Sequence, residues 1–218
     1  MLVPVDLVVM VSITLFGVLS VVMIGTGFYA KVMAFGGNGA AIPVCGLMFA
    51  AATVRAEAQT KGASASGAIW AGFAAVMKIL GSGFVLSFIL GIMLNKIGVS
   101  SVATPGLVMQ LVWAAVICGA ICSFTQLLSE TKLAFPLVAI IMMVIGGGLL
   151  TYTGFIKTLC SLGIGGVTAT ALGCGNGAYE AGALAAGGVM VPLALCAALN
   201  VILVAMGAFA GAFLLKKN

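Results

Sequence analysis

Long apolar runs, separated by short polar or glycine-rich segments, follow one another along most of this 218-residue chain. A helix needs about 20 consecutive apolar residues to cross a bilayer. Five runs approach or exceed that length, at about 5–30, 65–94, 106–128, 133–155 and 189–215. The pattern therefore predicts an all-α, polytopic membrane protein with about five transmembrane helices.

Two glycine-rich segments, at about 36–60 and 163–180, interrupt this pattern. The apolar part of the first segment, 47–54, is too short to cross a bilayer and stops at Arg55, which we interpret with Glu57 as a solvated turn. Irregular backbone is tolerated at membrane depth only where it is buried in protein or lines a cavity. We therefore predict that each segment re-enters the membrane and contains a half-helix.

The two glycine-rich segments are similar to each other. A shift of 127 residues places Gly36 on Gly163, Gly39 on Gly166, Gly46 on Gly173 and Pro43 on Thr170. The residues before them agree as well: Gly27, Phe28 and Lys31 precede the first segment as Gly154, Phe155 and Lys157 precede the second, with one residue of slippage. Such self-similarity indicates an internal repeat.

The repeat predicts two units, residues 1–95 and 96–218, each with a span, a re-entrant segment and a second span. The second unit carries one extra span, at 106–128, and this odd insertion would invert it with respect to the first. Inverted repeats with broken helices are common in secondary transporters.

Composition excludes a water-soluble protein, because 63% of the residues are hydrophobic and 6% are charged, against about 25% charged in soluble domains. The first residues, 1–6, lack the basic region and cleavage site of a secretory signal, so we interpret the first run as a retained span.

The nine basic residues mostly stand at the ends of apolar runs. This placement records membrane orientation and differs from the basic patch of a nucleic-acid-binding protein, so we expect no nucleic-acid partner. With re-entrant segments, one side collects Lys31, Arg55, Lys61, Lys132, Lys216 and Lys217, and the other Lys96 and Lys157. If both segments crossed, the ratio would be five to three instead of six to two. The positive-inside rule favours re-entry, with a cytoplasmic C-terminus and an external N-terminus.

Candidate chemistry is sparse. The chain has no histidine, and its six cysteines lack CxxC spacing, so the usual zinc and haem ligand sets are hard to assemble. We expect no cofactor and no metal site. Paired carboxylates at close spacing are also missing from the sequence, and an enzyme is therefore not expected.

The glycine-rich segments provide the candidate site. A half-helix that begins inside the membrane presents unpaired N–H groups and a positive dipole end, which favour an anion. Glycines would let backbone approach the ligand, and the two asparagines could contact it or cap their half-helices. The alternative is that the glycines only permit tight helix packing. The predicted substrate-binding or pore-lining residues are Gly37, Asn38, Gly39, Pro43, Gly46, Gly165, Gly166, Thr168, Thr170, Gly173, Asn176 and Glu180.

Glu180 is the candidate ionisable group, since it lies in the second segment with no basic residue next to it in sequence. A charge within the bilayer costs about 2.5–3.5 kcal/mol or more and is a functional hypothesis by default. Glu180 could bind a cation, carry a proton, or pair with Lys78 or Lys157. An interfacial glutamate without such a role is the alternative, and Lys78 is expected to snorkel. The two threonines are expected to bond backbone freed by the break.

The stretches 36–46 (GGNGAAIPVCG) and 119–136 (GAICSFTQLLSETKLAFP), the latter leading into 163–180, resemble the stage V sporulation protein A membrane subunits, types AC and AE. Residues 106–218 resemble one whole subunit, and residues 1–95 resemble another without its first span. The chain departs from the family at 47–49, where Leu-Met-Phe replaces Phe-Gly-Asn, at Thr170, which replaces a proline, and in joining two units.

The resemblance implies a channel of the spore inner membrane that moves dipicolinic acid with calcium. From sequence we expect a channel or transporter subunit for a small, anionic solute in a bacterial cytoplasmic membrane, working as a homo- or hetero-oligomer with other membrane subunits. A secondary transporter for another solute and a non-conducting structural subunit are the alternatives.

Overall fold

A computed structural model describes the backbone of residues 4–131 and 133–215 and the side chains of residues 13–131 and 133–215. About 85% of the chain is helical, and the described part contains no β-strand. The helices, in chain order, are α1 (Pro4–Thr26), α2 (Phe28–Gly36), α3 (Val44–Thr60), α4 (Ala65–Leu94), α5 (Leu107–Ser129), α6 (Phe135–Tyr152), α7 (Phe155–Thr168), α8 (Ala171–Ala186) and α9 (Val191–Leu215). A 3₁₀ turn, Gly37–Ala41, lies between α2 and α3.

Four of the described helices, α4, α5, α6 and α9, are long and apolar enough to cross a membrane. They contain 18 to 30 residues, with mean hydropathy between 2.0 and 2.3. Helix α1 and the segment after it meet the same criteria together, which raises the number to five. The protein is therefore an all-α polytopic membrane protein, as the hydrophobic pattern predicts.

The predicted bounds of α4 match the structure, whereas the predicted first and fourth spans are too long. Helix α1 ends at Thr26 and α6 at Tyr152. Each is followed by a glycine in the left-handed conformation, Gly27 with φ 77° and Gly154 with φ 84°. A helix cannot continue through such a residue. At Gly27 the chain bends by 93°, so that Lys31 lies in the next helix and not at the end of the span.

Packing divides the chain into two compact units. Unit 1 takes in residues 1–78 and 199–218, and therefore α1 to α3, the first part of α4 and the last part of α9. Helix α9 lies against α3 through glycines, since a Cβ on Gly207 would lie 2.6 Å from Met48 Cα, and one on Gly211 would lie 2.6 Å from the Ala52 carbonyl oxygen. Small residues of this kind let membrane helices approach closely.

Unit 2 comprises residues 79–198 and uses the same packing device. A Cβ on Gly175 of α8 would lie 2.7 Å from the Met143 carbonyl carbon of α6, and one on Gly166 of α7 would lie 2.6 Å from the Ala114 oxygen of α5. Tyr179 is fully buried in this unit. The packing units are distinct from the predicted repeat units, 1–95 and 96–218, which stay a prediction of internal symmetry.

The position of Arg55 in the structure changes the charge count on which the predicted topology depends. Helix α3 continues through it to Thr60, and its side chain is 7% exposed, so it is not part of a solvated turn, although Glu57 is exposed. If Arg55 is left out, the re-entrant topology and the crossing topology both place five of the counted basic residues on one side of the membrane and two on the other. Charge therefore no longer distinguishes re-entry from crossing. Three residues of the predicted cytoplasmic set, Lys132, Lys216 and Lys217, lie outside the described residues, as do residues 1–3.

Candidate functional site

The first broken helix is formed by α2, the 3₁₀ turn and α3. Gly37, with φ 52° and ψ −141°, ends α2, and Pro43, with extended backbone at φ −59° and ψ 155°, precedes α3. The buried hydroxyl of Tyr29 donates a hydrogen bond of 2.6 Å to the Ala40 carbonyl. This bond holds α2 onto the turn, so the break is fixed by tertiary contact as well as by glycine.

The second broken helix is formed by α7 and α8. The backbone leaves the helical conformation at Gly163, and it is extended again at Thr170, with φ −122° and ψ 170°. The Thr170 hydroxyl donates to the Val167 carbonyl at 2.8 Å, and the Thr168 hydroxyl donates to the Ile164 carbonyl at 2.9 Å. Both threonines therefore bond backbone carbonyls beside the break, as predicted.

The helices of the two broken pairs start at equivalent residues, separated by the predicted interval. Helices α2 and α7 start at residues 28 and 155, and α3 and α8 start at 44 and 171. Each pair of starts is 127 residues apart, and so are the left-handed Gly27 and Gly154. The helix starts therefore align without slippage. The one-residue offset seen in the sequence affects only Lys31 and Lys157.

One close contact recurs in both copies. A Cβ on Gly46 would lie 2.5 Å from Ala41 Cα, and a Cβ on Gly173 would lie 2.6 Å from Thr168 Cα. Real Cβ atoms essentially never come within 3.0 Å of another heavy atom. Glycine is therefore required at both positions because the second half-helix folds back against the end of the segment before it.

Packing, the alternative to ligand contact, accounts for several of the predicted glycines. Gly46, Gly166 and Gly173 all face other backbone too closely for a side chain, and Gly39 is buried. Gly165 is looser, since a Cβ there would lie 3.7 Å from the Ala114 Cβ. These glycines build the shape of the breaks, whatever else contacts them.

The two predicted asparagines occupy different environments. Asn38 is exposed on the 3₁₀ turn. Asn176 lies inside α8, so the prediction that it caps a half-helix is wrong. Instead, the Thr151 hydroxyl of α6 donates either to Asn176 Oδ1, at 2.7 Å, or to the Gly147 carbonyl. Gly147 belongs to a π-helical stretch of α6, Met142–Leu149, and stretches of this kind are frequent at functional sites.

Glu180 forms an ion pair with Lys157. The Lys157 Nζ atom lies 2.5 Å from Glu180 Oε1, and the two side chains are 31% and 24% exposed. The pair joins α7 to α8, and among the predicted partners it selects Lys157 over Lys78, which is exposed. Glu180 Oε1 is itself buried, and within the described part of the chain its one polar contact is this ammonium group. The two charges thus neutralise each other beside the second break.

Sequence reasoning overlooked Tyr29 and Thr151 and misplaced Arg55. Tyr29 and Thr151 lie near the ends of apolar runs, close to other polar residues, and only their partners in space reveal their role. The burial of Arg55 depends on Gly72 and Gly211, which lie on other helices.

No protein-family model, curated protein or solved structure matches the chain. The resemblance to the stage V sporulation protein A subunits therefore depends on the residues quoted above. Within the described residues, no group of three or more cysteine, aspartate or glutamate side chains is placed to hold a metal ion.

Proposed function

We propose that this membrane protein moves a small solute across the bilayer, as a channel or as a secondary transporter. The supporting observation is that one broken-helix device occurs twice, with the same left-handed glycine, the same extended residue and the same close glycine contact. Broken helices expose backbone polar groups, and membrane proteins tolerate this where the backbone is buried in protein or lines a solute path. Transporters place substrate sites at such half-helix ends.

The starts of α3 and α8 favour a negatively charged group on the solute. Neither Pro43 nor Thr170 makes a side-chain capping bond to its helix. The Gly46 and Gly173 N–H groups donate to the carbonyls of Pro43 and Thr170, at 2.8 and 3.0 Å. The first two N–H groups of each helix have no partner within the helix, and the helix dipole adds positive potential there. An anionic solute would supply acceptors at both positions.

We assign the Lys157–Glu180 pair a control function along this path. Both side chains are partly exposed, so a charged solute can reach them and compete for either partner. Removing one member leaves the other uncompensated, at a cost that rises with burial. Transport is therefore expected to depend on the pair even if the fold tolerates its loss.

The family resemblance suggests dipicolinic acid, with calcium, as the first solute to test, and the inner membrane of a spore as the location. We further propose that the chain works as a homo- or hetero-oligomer, because a bundle of about five spans makes a thin wall for a solute path. A non-conducting structural subunit is the second candidate, and the close packing of Gly166 on α5 favours it.

Flux through reconstituted liposomes tests the proposal. The panel contains dipicolinate, phosphate, acetate and chloride, each offered with sodium, potassium or calcium. The variants are Glu180→Gln and Lys157→Met, with Glu57→Gln as the matched control, because Glu57 is an exposed acid at the end of α3.

We expect flux of at least one anion, reduced about tenfold by Glu180→Gln, which corresponds to about 1.4 kcal/mol on the barrier, and unchanged by Glu57→Gln. Absence of flux for every solute, with a folded protein by circular dichroism, would favour the structural subunit. Equal loss in Glu57→Gln and Glu180→Gln would remove the pair from the mechanism.

A further inference from the structure

We propose that Arg55 and Gln59 of α3 form a binding site for an oxyanion, a carboxylate or phosphate group, inside unit 1. The site would bind the solute whose transport is proposed above. Its role in transport depends on that proposed function, whereas the binding of an anion does not. Binding itself is measured without flux.

Arg55 is held deep between helices by two glycines. Its side chain is 7% exposed. A Cβ on Gly72 of α4 would lie 3.2 Å from Arg55 Cβ, and a Cβ on Gly211 of α9 would lie 2.9 Å from Arg55 Cδ. Any larger residue at Gly211 would collide with the arginine stem, so the pair of glycines forms a slot for it.

The guanidinium is oriented but only partly satisfied. Arg55 Nη1 donates to the Ala208 carbonyl at 2.9 Å and to the Phe209 carbonyl at 2.6 Å. Arg55 Nε is buried and has no hydrogen-bond partner among the residues whose side chains are described. In a guanidinium, Nε and Nη2 form one edge whose parallel N–H bonds match the two oxygens of a carboxylate or phosphate. The bonds of Nη1 therefore fix the group while leaving its Nε atom unpaired.

Gln59 supplies a second unsatisfied group on the same face of α3. Residues four apart on a helix are neighbours, with Cβ atoms about 6 Å apart. Gln59 Oε1 is buried, and no described residue forms a hydrogen bond with it. An amide can be turned to present its NH₂ group, since the two ends are nearly indistinguishable in shape. Turned in this way, Gln59 would donate to the same anion as Arg55.

The position of Arg55 makes an unpaired positive charge costly. It lies five residues before Thr60, the last residue of α3, and Gly72 lies seven residues after the start of α4, so the site is about 8 to 10 Å inside these helix ends at 1.5 Å per residue. Arg55 forms no ion pair with any residue whose side chain is described, and Glu57, the acid nearest to it in sequence, is exposed. A buried charge without a counter-charge is destabilising, and a bound anion removes that cost.

The anion can come from solution or from a lipid headgroup. On the same unit, a cavity of about 330 Å³ between α4 and α9 is lined by apolar side chains, among them Trp70, Phe73 and Phe209. Phe209 also provides one of the carbonyls that Arg55 contacts. An acyl chain in this cavity would bring a phosphate close to the guanidinium, so the experiment includes a lipid.

The test measures anion binding to the full chain in maltoside detergent. Thermal unfolding midpoints are recorded against sodium phosphate and sodium dipicolinate at constant ionic strength. Phosphatidylglycerol retention is measured separately by native mass spectrometry. The variants are Arg55→Gln and Gln59→Leu, and the control is Lys61→Gln, which removes an exposed charge six residues away. Gln59→Leu keeps both bonds from Arg55 to α9, so it carries the test if Arg55→Gln fails to fold.

We expect saturable stabilisation of the unsubstituted protein and of Lys61→Gln by an anion, with affinity at least about tenfold weaker in Gln59→Leu. A lipid source would show as phosphatidylglycerol retained by the same two proteins and displaced by phosphate. Loss of binding in Lys61→Gln to the same extent as in Gln59→Leu overturns the proposal, as does the absence of saturable binding of any of the three probes. Binding without flux would overturn the transport function and leave the binding site standing. Flux, together with anion binding that Gln59→Leu does not weaken, would overturn the binding site and leave the transport function standing.

Discussion

The repeated glycine contact predicts that a single methyl group destabilises the protein at two equivalent positions. The changes are Gly46→Ala and Gly173→Ala. In each, the new Cβ would meet backbone atoms of the preceding segment: Ala41 Cα at 2.5 Å in the first copy, and Thr168 Cα at 2.6 Å with Thr168 O at 2.8 Å in the second. Ordinary van der Waals contact begins near 3.4 Å, so the overlap is close to 1 Å in both.

Two opposing effects determine the magnitude. Alanine is favoured over glycine inside a helix by about 1 kcal/mol. Overpacking costs about 1–3 kcal/mol, and values near the upper end are expected here because the opposing atoms are backbone and cannot rotate away. The net loss is therefore about 1–2 kcal/mol for each variant.

Reversible unfolding in mixed detergent micelles measures this loss, with helix content followed by circular dichroism. Tryptophan fluorescence adds a local probe, since Trp70 belongs to unit 1 and Trp113 to unit 2. Gly119→Ala is the matched control, because nothing lies within 4 Å of a Cβ at Gly119 in α5. The control is expected to gain between zero and about 1 kcal/mol.

The reasoning is refuted if Gly46→Ala and Gly173→Ala are as stable as Gly119→Ala, because the close contacts would then not exist. If only one of the two is destabilised, the structural equivalence of the two copies fails while the contact in the sensitive copy stands.

Three single contacts, made by Tyr29, by Thr151 and by the Lys157–Glu180 pair, can each be tested by substitution. Tyr29→Phe removes the buried hydroxyl that bonds the Ala40 carbonyl and is expected to cost about 1–3 kcal/mol of unfolding free energy in the same assay; a cost near zero would show that the bond does not hold the turn. Thr151→Val removes the donor to Asn176 and is expected to cost about 1–2 kcal/mol, whereas the control Thr153→Val removes an exposed hydroxyl that donates to the Leu150 carbonyl and is expected to cost less. The double variant Lys157→Met with Glu180→Gln is expected to be more stable than either single variant, because no charge is then left alone; additive losses in the thermal unfolding of the three proteins would contradict direct pairing.

Hydrophobic pattern predicted the spanning helices well, because lipid requires about 20 apolar residues for each crossing. Helix α4 shows this most clearly, with its predicted bounds reproduced. The same pattern overlooked the bend after α1, because the apolar run continues through it to Ala30. Only the backbone conformation of Gly27 separates a bend from a continuing helix, and hydropathy carries no information about φ.

The breaks were predictable because their geometry restricts residue type. A half-helix that folds back on the previous segment leaves no room for a Cβ at Gly46 or Gly173, and so the glycines recur at one interval. Asparagine has no comparable restriction. A position at a helix end was one of the two roles predicted for Asn176, yet α8 begins five residues earlier, and the Asn176 side chain contacts Thr151.

Arg55 shows what a single sequence cannot reveal. Its local context, with Glu57, Gln59 and Lys61 nearby, is that of a solvated helix end. Its burial depends on Gly72 and Gly211, which lie on other helices and come next to Arg55 only in the folded protein. Lys157 and Glu180 are an intermediate case, since their pairing was one of several predicted options and needed the turn between α7 and α8 to select it.

The partners of Arg55 also impose an order on biosynthesis. The Ala208 carbonyl that accepts its hydrogen bond is made 153 residues later, a delay of about 8 to 30 s at a translation rate of 5–20 residues per second. During that time α3 has no acceptor from α9 for its guanidinium and must keep it in water or among headgroups. Arg55 is therefore expected to reach its buried position only after α9 has been synthesised, as a late step of folding.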